Sequence, residues 1–238
     1  MESKETDSST ATSSWEDYRP PIPDTSHLIT ETEEPVDNIF SEKQMRLLTE
    51  PLYASWNPGR PFWVAANVGM YEALNAKAVV PDVLLSLDTT PDVAKEFGSK
   101  CYFFWDHGKP PELVIEIVSN KEGGELDRKK TRYAKLHVDR YVVFDPDLHL
   151  SSELLQVFDL SQGEYQKRPA AAEYEAVEGL GLRFWKGEYE GQTEEWLRWI
   201  EPDGKLIATG AERADAEAIR VGRLAAKLRE LGVDPDSI

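Results

Sequence analysis

The chain has 238 residues, enough for one large domain with extensions, and a hydrophobic fraction of 40% that can build a real core. No apolar run approaches the roughly 20 residues of a membrane span, and the N-terminus lacks a basic stretch followed by a hydrophobic one, so a cytoplasmic protein with no membrane partner is expected. A single cysteine, Cys101, excludes an internal disulfide, the lack of a Cys/His cluster excludes structural zinc, and a formal net charge of −17 weighs against broad phosphate binding.

The charge is unevenly placed. Residues 1–40 carry ten acids against two bases in a Ser/Thr/Pro-rich tract without periodicity, which reads as a disordered acidic arm. Ordered structure is expected from near Phe40, with Ser41 capping a helix that runs through Leu48 and stops at Pro51. Phe62–Ala66 reads as a strand or buried turn. Farther on, Pro81-Asp82 stands immediately before the hydrophobic strand Val83–Leu87, which puts Asp82 at the strand's mouth; the bland alternative is a turn-forming aspartate. Tyr102–Trp105 reads as another strand, with Cys101 a small core residue beside it and His107 a turn residue after it.

The richest stretch runs from Pro111 to Pro146. Leu113–Val118 is a run of branched apolar residues typical of a buried strand, interrupted by one carboxylate, Glu116. A buried carboxylate requires a metal, a cation or a proton, and the bland alternative is a glutamate that reaches solvent or pairs with an arginine. After the Gly123-Gly124 turn, Glu125–Leu136 reads as a helix with Leu126, Lys129, Tyr133 and Leu136 on one stripe and Arg128, Lys130 and Arg132 away from it. Residues 121–140 carry seven bases against four acids, the one locally basic stretch near these groups. Tyr141–Phe144 is a second apolar strand closed by Asp145-Pro146. Strand, helix and strand suggest a crossover unit that turns Lys129 back toward Glu116.

Downstream, Leu154–Phe158 and Glu164–Lys167 read as a hairpin around Ser161-Gln162-Gly163, and Leu180–Trp185 as a further strand. Trp196–Ile200 is expected to pair with Lys205–Ile207. The aromatic side chains read as core packing rather than as a sugar or base platform. Ala211–Leu231 is an amphipathic helix ended by Gly232, with Ala214, Ala218, Val221, Ala225 and Leu228 spaced alternately four and three apart; such a seam suits self-association or packing on the parent domain. The expected organisation is an arm over 1–40, a domain over 41–210 and a C-terminal helix and tail over 211–238.

Three residues offer chemistry: Asp82, Glu116 and Lys129. Two carboxylates on neighbouring strands suit an oxygen-preferring divalent cation, magnesium or manganese, completed by water and substrate phosphate. A nearby lysine can orient or deprotonate the attacking water, or neutralise charge developing on phosphorus. At these residues the chain resembles a known family. VVPDVLL, LVIEIVS, GGELDRKKTRY and VDRYVVFDP, with LGLRFWKGEYEG, WLRW and LAAKLRELGVDPD farther on, resemble the Uma-two family of restriction endonucleases within the PD-(D/E)xK nuclease superfamily, over roughly Phe62 to Leu231.

The resemblance implies an α/β, restriction-endonuclease-like fold, a central mixed sheet flanked by helices, with magnesium as cofactor and DNA as substrate. Asp82 matches the motif aspartate and Glu116 the second acid, and the Ile117 carbonyl would complete the metal shell. The superfamily's lysine lies two positions after the second acid, where this chain has Val118; Lys129 on the following helix fits as its replacement, and His137 stands where the family has glycine. The expected function is a magnesium-dependent endonuclease hydrolysing DNA phosphodiester bonds. The alternative is a catalytically silent nuclease-fold module for nucleic-acid or protein interaction, dimerised through the C-terminal helix or a sheet edge. The displaced lysine and acidic charge favour the silent reading, and the Asp82, Glu116 and Lys129 set favours the enzyme.

Overall fold

The computed structural model describes residues 38–92, 100–120 and 124–235. The expected arm therefore lies outside the described residues apart from its last three positions, and Gly123 lies outside them too. Helix α1 (Ile39–Ser55) opens not at Ser41 but at Asn38, whose side chain accepts the Ser41 N–H at 2.8 Å. Asparagine caps a helix well because its short side chain reaches an otherwise unpaired N–H of the first turn. Nor does Pro51 end this helix: Met45, Leu48 and Leu52 continue one buried face past it, and Trp199 donates its indole N–H to the Leu48 carbonyl at 2.7 Å. Burial of that face outweighs the hydrogen bond that proline removes.

In chain order the strands among the described residues are β1 (Phe62–Ala66), β2 (Met70–Tyr71), β3 (Val83–Leu87), β4 (Tyr102–Phe103), β5 (Leu113–Ile117) and β6 (Arg140–Phe144). They continue with β7 (Leu155–Ser161), β8 (Glu164–Lys167), β9 (Glu173–Val177), β10 (Leu180–Tyr189) and β11 (Gln192–Ile200). The order β1-β3-β5-β6-β7-β8 makes one six-stranded mixed sheet, in which β5 and β6 run parallel and the other neighbours antiparallel. A parallel pair needs a crossover. Here it carries a π-helical turn, Glu125–Lys129, and helix α3 (Lys130–Lys135), so the expected helix is present but wider in its first turn.

Strand period sorts the side chains of this sheet onto two faces. Leu113, Ile115 and Ile117 of β5 join Val83, Leu85, Val142 and Phe144 in a core covered by α1 and by the antiparallel sheet β11-β10-β9. Val114 and Val118 point the other way, into a core closed by Tyr133, Ala134 and Leu136. Glu116 shares that second face by the same alternation, which places its carboxylate under the crossover helix.

Other expectations change as well. Only Tyr102 and Phe103 of the aromatic run are strand; the chain then closes into the single helical turn α2 (Phe104–His107), ended by Gly108 at φ 71°. The run lacks the alternation that holds a longer strand in register. His107 is more than a turn residue, since its ring stacks 4.2 Å from Tyr102 and its Nδ1 lies 2.7 Å from Thr89 Oγ1. Trp196–Ile200 pairs chiefly with β10, because Glu190-Gly191, both at positive φ (46° and 77°), make the tight turn that joins β10 to β11; the expected pairing with Lys205–Ile207 is present but short, the bridge Ile200 to Leu206 with the Ile207 N–H donating to the Trp199 carbonyl at 3.0 Å. One strand has no counterpart in the sequence reading: β9, in which buried Tyr174 and Ala176 alternate with Glu173 and Glu175. Finally, helix α4 (Gly210–Glu230) starts with a capping box between Thr209 and Glu212.

Candidate active site

Asp82 stands one residue ahead of β3, where antiparallel pairing sets Val83 opposite Ile115. That register brings the Asp82 carboxylate to the end of β5, and its Oδ2 accepts the Ile117 backbone N–H at 2.6 Å. Glu116, fully buried on β5, receives two donors from the crossover: the Lys129 ammonium reaches its Oε2 at 2.9 Å, and the Tyr133 hydroxyl its Oε1 at 2.5 Å. The structure thus brings together all three residues singled out in the sequence. Their roles are a separate matter.

The π turn explains how the lysine arrives. Gly124, at φ 71°, starts it in the left-handed region, and the Lys129 N–H donates to the Gly124 carbonyl at 3.0 Å, five residues back. Lys129 and Tyr133 follow one another on one helix face, so both reach Glu116. Glu125 completes the group, with its Oε1 3.2 Å from the Lys129 ammonium and its backbone carbonyl accepting the Tyr141 hydroxyl at 2.8 Å. Its other carboxylate oxygen, Oε2, is buried without a hydrogen-bond partner. Sequence reasoning assigned no role to Tyr133 or Glu125, although both stand four positions from Lys129 and the spacing alone marks them as its helical neighbours.

A family model described as Uma2, "Putative restriction endonuclease", matches residues 28–186. The chain belongs to this family. Its central mixed sheet flanked by helices is the restriction-endonuclease-like fold expected of an Uma2 protein. Among solved structures the chain is similar to "a putative nuclease belonging to DUF820" from Anabaena variabilis, at 14% identity and a TM-score of 0.44, over 61% of this chain and 76% of that one. No curated protein matches it.

Electrostatics in this Uma2 site follow from burial. Loss of water, and then the nearby Asp82 charge, push the Glu116 carboxyl up to about 8, against the pull of Lys129 and Tyr133. Burial also works against the Lys129 ammonium, but Glu116, with Glu125 and Asp82, holds its pKa above the usual amine value. Lys129 therefore stays an ammonium near neutral pH, and the group that titrates is Glu116. Tyr133, raised well above the ordinary phenol by burial and by Glu116, stays a donor.

Asp82 and Glu116 are the residues that could hold an oxygen-preferring cation. A buried carboxylate that resists ionisation beside a second carboxylate is relieved by a positive ion, and Glu125 Oε2 lies buried in the same group without a hydrogen-bond partner among the described residues. Among the described residues no group of three or more His, Cys, Asp or Glu side chains could hold a metal. Asp82 and Glu116 would supply the protein share of the shell, as in magnesium sites finished by water and substrate phosphate.

On the flank of the crossover helix lies a groove of about 920 Å³ lined by Arg128, Lys130, Arg132 and Lys135 and, across from them, by Gly163, Glu164 and Tyr165. Arg132 pairs with Glu72 at 2.8 Å, whereas Arg128, Lys130 and Lys135 make no ion pair with a carboxylate among the described residues. The Lys130 ammonium sits 4.1 Å over the Phe158 ring, and burial, then Lys167, pulls its pKa below the amine value. Among the described residues no helix is long and apolar enough to cross a membrane.

Proposed function

We propose that this Uma2 family member is a metal-dependent endonuclease that hydrolyses DNA phosphodiester bonds, with Asp82 and Glu116 holding magnesium or manganese. The observation that carries the proposal is the 2.9 Å approach of Lys129 to Glu116, which returns from the helix the ammonium that the superfamily places on the strand. A bound divalent cation would supply Lewis-acid activation of the phosphodiester and of water. The chain's own residues do the rest. Lys129, held as an ammonium by the surrounding acids, positions the attacking water and offsets negative charge developing at phosphorus; it does not serve as the base. Tyr133 fixes the Glu116 carboxylate by donating to Oε1, leaving Oε2 toward Lys129. The Ile117 N–H fixes Asp82 in the same way.

Calorimetry with magnesium or manganese, run beside a plasmid-nicking assay, tests the assignment. Wild-type protein should bind the metal and nick, Asp82→Ala and Glu116→Gln should do neither, and Lys129→Ala should bind metal yet lose nicking by about 100-fold or more, the usual cost of removing one preorganised charge from a transition state. No metal binding and no nicking by the wild type would leave the fold as a scaffold.

The basic groove supports DNA as the substrate, because four cations, three of them in no ion pair among the described residues, line it against two acids, Asp127 and Glu164, in a chain of net charge −17. Lys130→Gln and Lys135→Gln should each weaken DNA binding and reduce the slope of log affinity against log salt by about 0.9, while leaving magnesium binding unchanged. Unchanged slopes in both variants would remove the groove from the DNA path.

A further inference from the structure

Helix α4 spans 21 residues, yet none of them is buried. Its first turn is fastened: Glu212 pairs with Arg198, Gly210 donates to Glu50 at 2.8 Å, and Arg213 donates to the Ala54 carbonyl. Beyond that turn the helix runs on for roughly 25 Å at 1.5 Å per residue. On the stripe Ala214, Ala218 and Val221 are exposed, Val221 at 52%, while Ala225 and Leu228 are half-buried; Leu224 and Leu231, at the stripe's edge, are 52% and 69% exposed. Helices in proteins draw most of their stability from a covered apolar face, and Gly222 near the middle of this one weakens it further.

Charge identifies what covers it. The half from Gly210 to Ile219 holds Glu212, Asp215 and Glu217 against Arg213, a net of −2, whereas the half from Arg220 to Glu230 holds Arg220, Arg223, Lys227 and Arg229 against Glu230, a net of +3. A second copy laid parallel would set like halves together. Laid antiparallel, it sets each acidic half against a basic one and superposes the two seams. We propose that α4 pairs antiparallel with the α4 of a second copy, crossing near Val221 and Gly222. In that register Ala218 faces the partner's Ala225, and Asp215 falls level with the partner's Leu228, between the partner's Lys227 and the partner's Arg229. Gly222, with nothing within 4 Å of the position of a Cβ, stands level with the partner's Val221 and leaves it room. The pairing does not depend on the nuclease reading.

The test uses the full chain. Sedimentation equilibrium should give a particle of twice the 27.0 kDa chain mass, and Val221→Glu combined with Ala225→Glu should give a monomer with an unchanged near-ultraviolet spectrum. Under mild oxidation an equimolar mixture of Ala218→Cys and Ala225→Cys proteins should form a mixed disulfide dimer that neither forms alone, with the wild type as control for buried Cys101. A wild-type monomer at every concentration overturns the proposal, as does efficient self-crosslinking of each single variant, which marks a parallel pair. Co-sedimentation of a monomer with anionic phosphatidylserine vesicles would assign the apolar stripe to a membrane surface and overturn it equally.

Discussion

Glu116→Gln should be more stable than the wild type at pH 8 in the absence of divalent metal, and catalytically dead. In the folded protein the Glu116 carboxyl titrates at about 8 rather than near 4.5, first because of burial and second because of Asp82. Below the unfolded value it is protonated in both states, and its contribution to stability is fully present. As pH rises toward 8 the unfolded chain binds fewer protons than the folded one, so stability falls across that window and the contribution is lost above the folded pKa. Glutamine removes the slope, offers its one oxygen to Lys129, and can donate its amide N–H to the Tyr133 hydroxyl, which accepts as well as donates. The expected gain at pH 8 is on the order of 2–4 kcal/mol. Urea titrations at a series of pH values measure it. Magnesium should close most of that gap, raising wild-type stability by about 2.7 kcal/mol at 100 times its Kd and leaving Glu116→Gln unmoved. A wild type equally stable from pH 5 to pH 9, or a variant less stable than it, would mean that the carboxylate is compensated without a cation.

The second large effect is expected at Arg198, far from the acids. Its side chain is almost fully buried on β11, donates to both Glu212 oxygens at 2.7 Å and to the Ile207 carbonyl at 2.9 Å, and lies 4.7 Å over the Trp185 ring. Glu212 in turn accepts the Thr209 N–H at 2.8 Å and closes the capping box of α4. Arg198→Met leaves a buried carbonyl and a partly buried carboxylate without their donor and should cost about 3 kcal/mol, read from the guanidinium midpoint. It should also open the Leu206–Glu212 segment to proteolysis. Glu212→Gln, which keeps an acceptor for the cap, should cost less than half as much. If Arg198→Met lies within about 0.5 kcal/mol of the wild type, α4 is fastened by something else.

Much of the fold is legible in the sequence because the central strands are short apolar runs with clear punctuation. Leu113–Ile117 and Arg140–Phe144, with a helix between them, permit little but a parallel pair with a crossover. The juxtaposition of Lys129 with Glu116 follows from strand period and helix stripe together. What the sequence leaves unread depends on packing between distant segments. Pro51 is a helix breaker in isolation, and only the burial of Leu48 and Leu52 beneath Trp199 keeps the helix going. β9 alternates glutamates with one tyrosine and one alanine, a pattern shared with many surface loops until β10 pairs with it. In the site, Glu125 is missed because an acid four residues before a lysine is common on any solvated helix. Its significance appears only where burial leaves Oε2 without a partner.

The lysine's address makes its position depend on the helix and not on strand register. Val118 and Glu116 share one face of the sheet, and Lys129 reaches Glu116 from the helix above that face. An inserted or deleted residue within Glu125–Lys129 would turn Lys129 by roughly 100° about the helix axis and carry its ammonium away from Glu116, while Asp82 and Glu116 kept their places on the sheet.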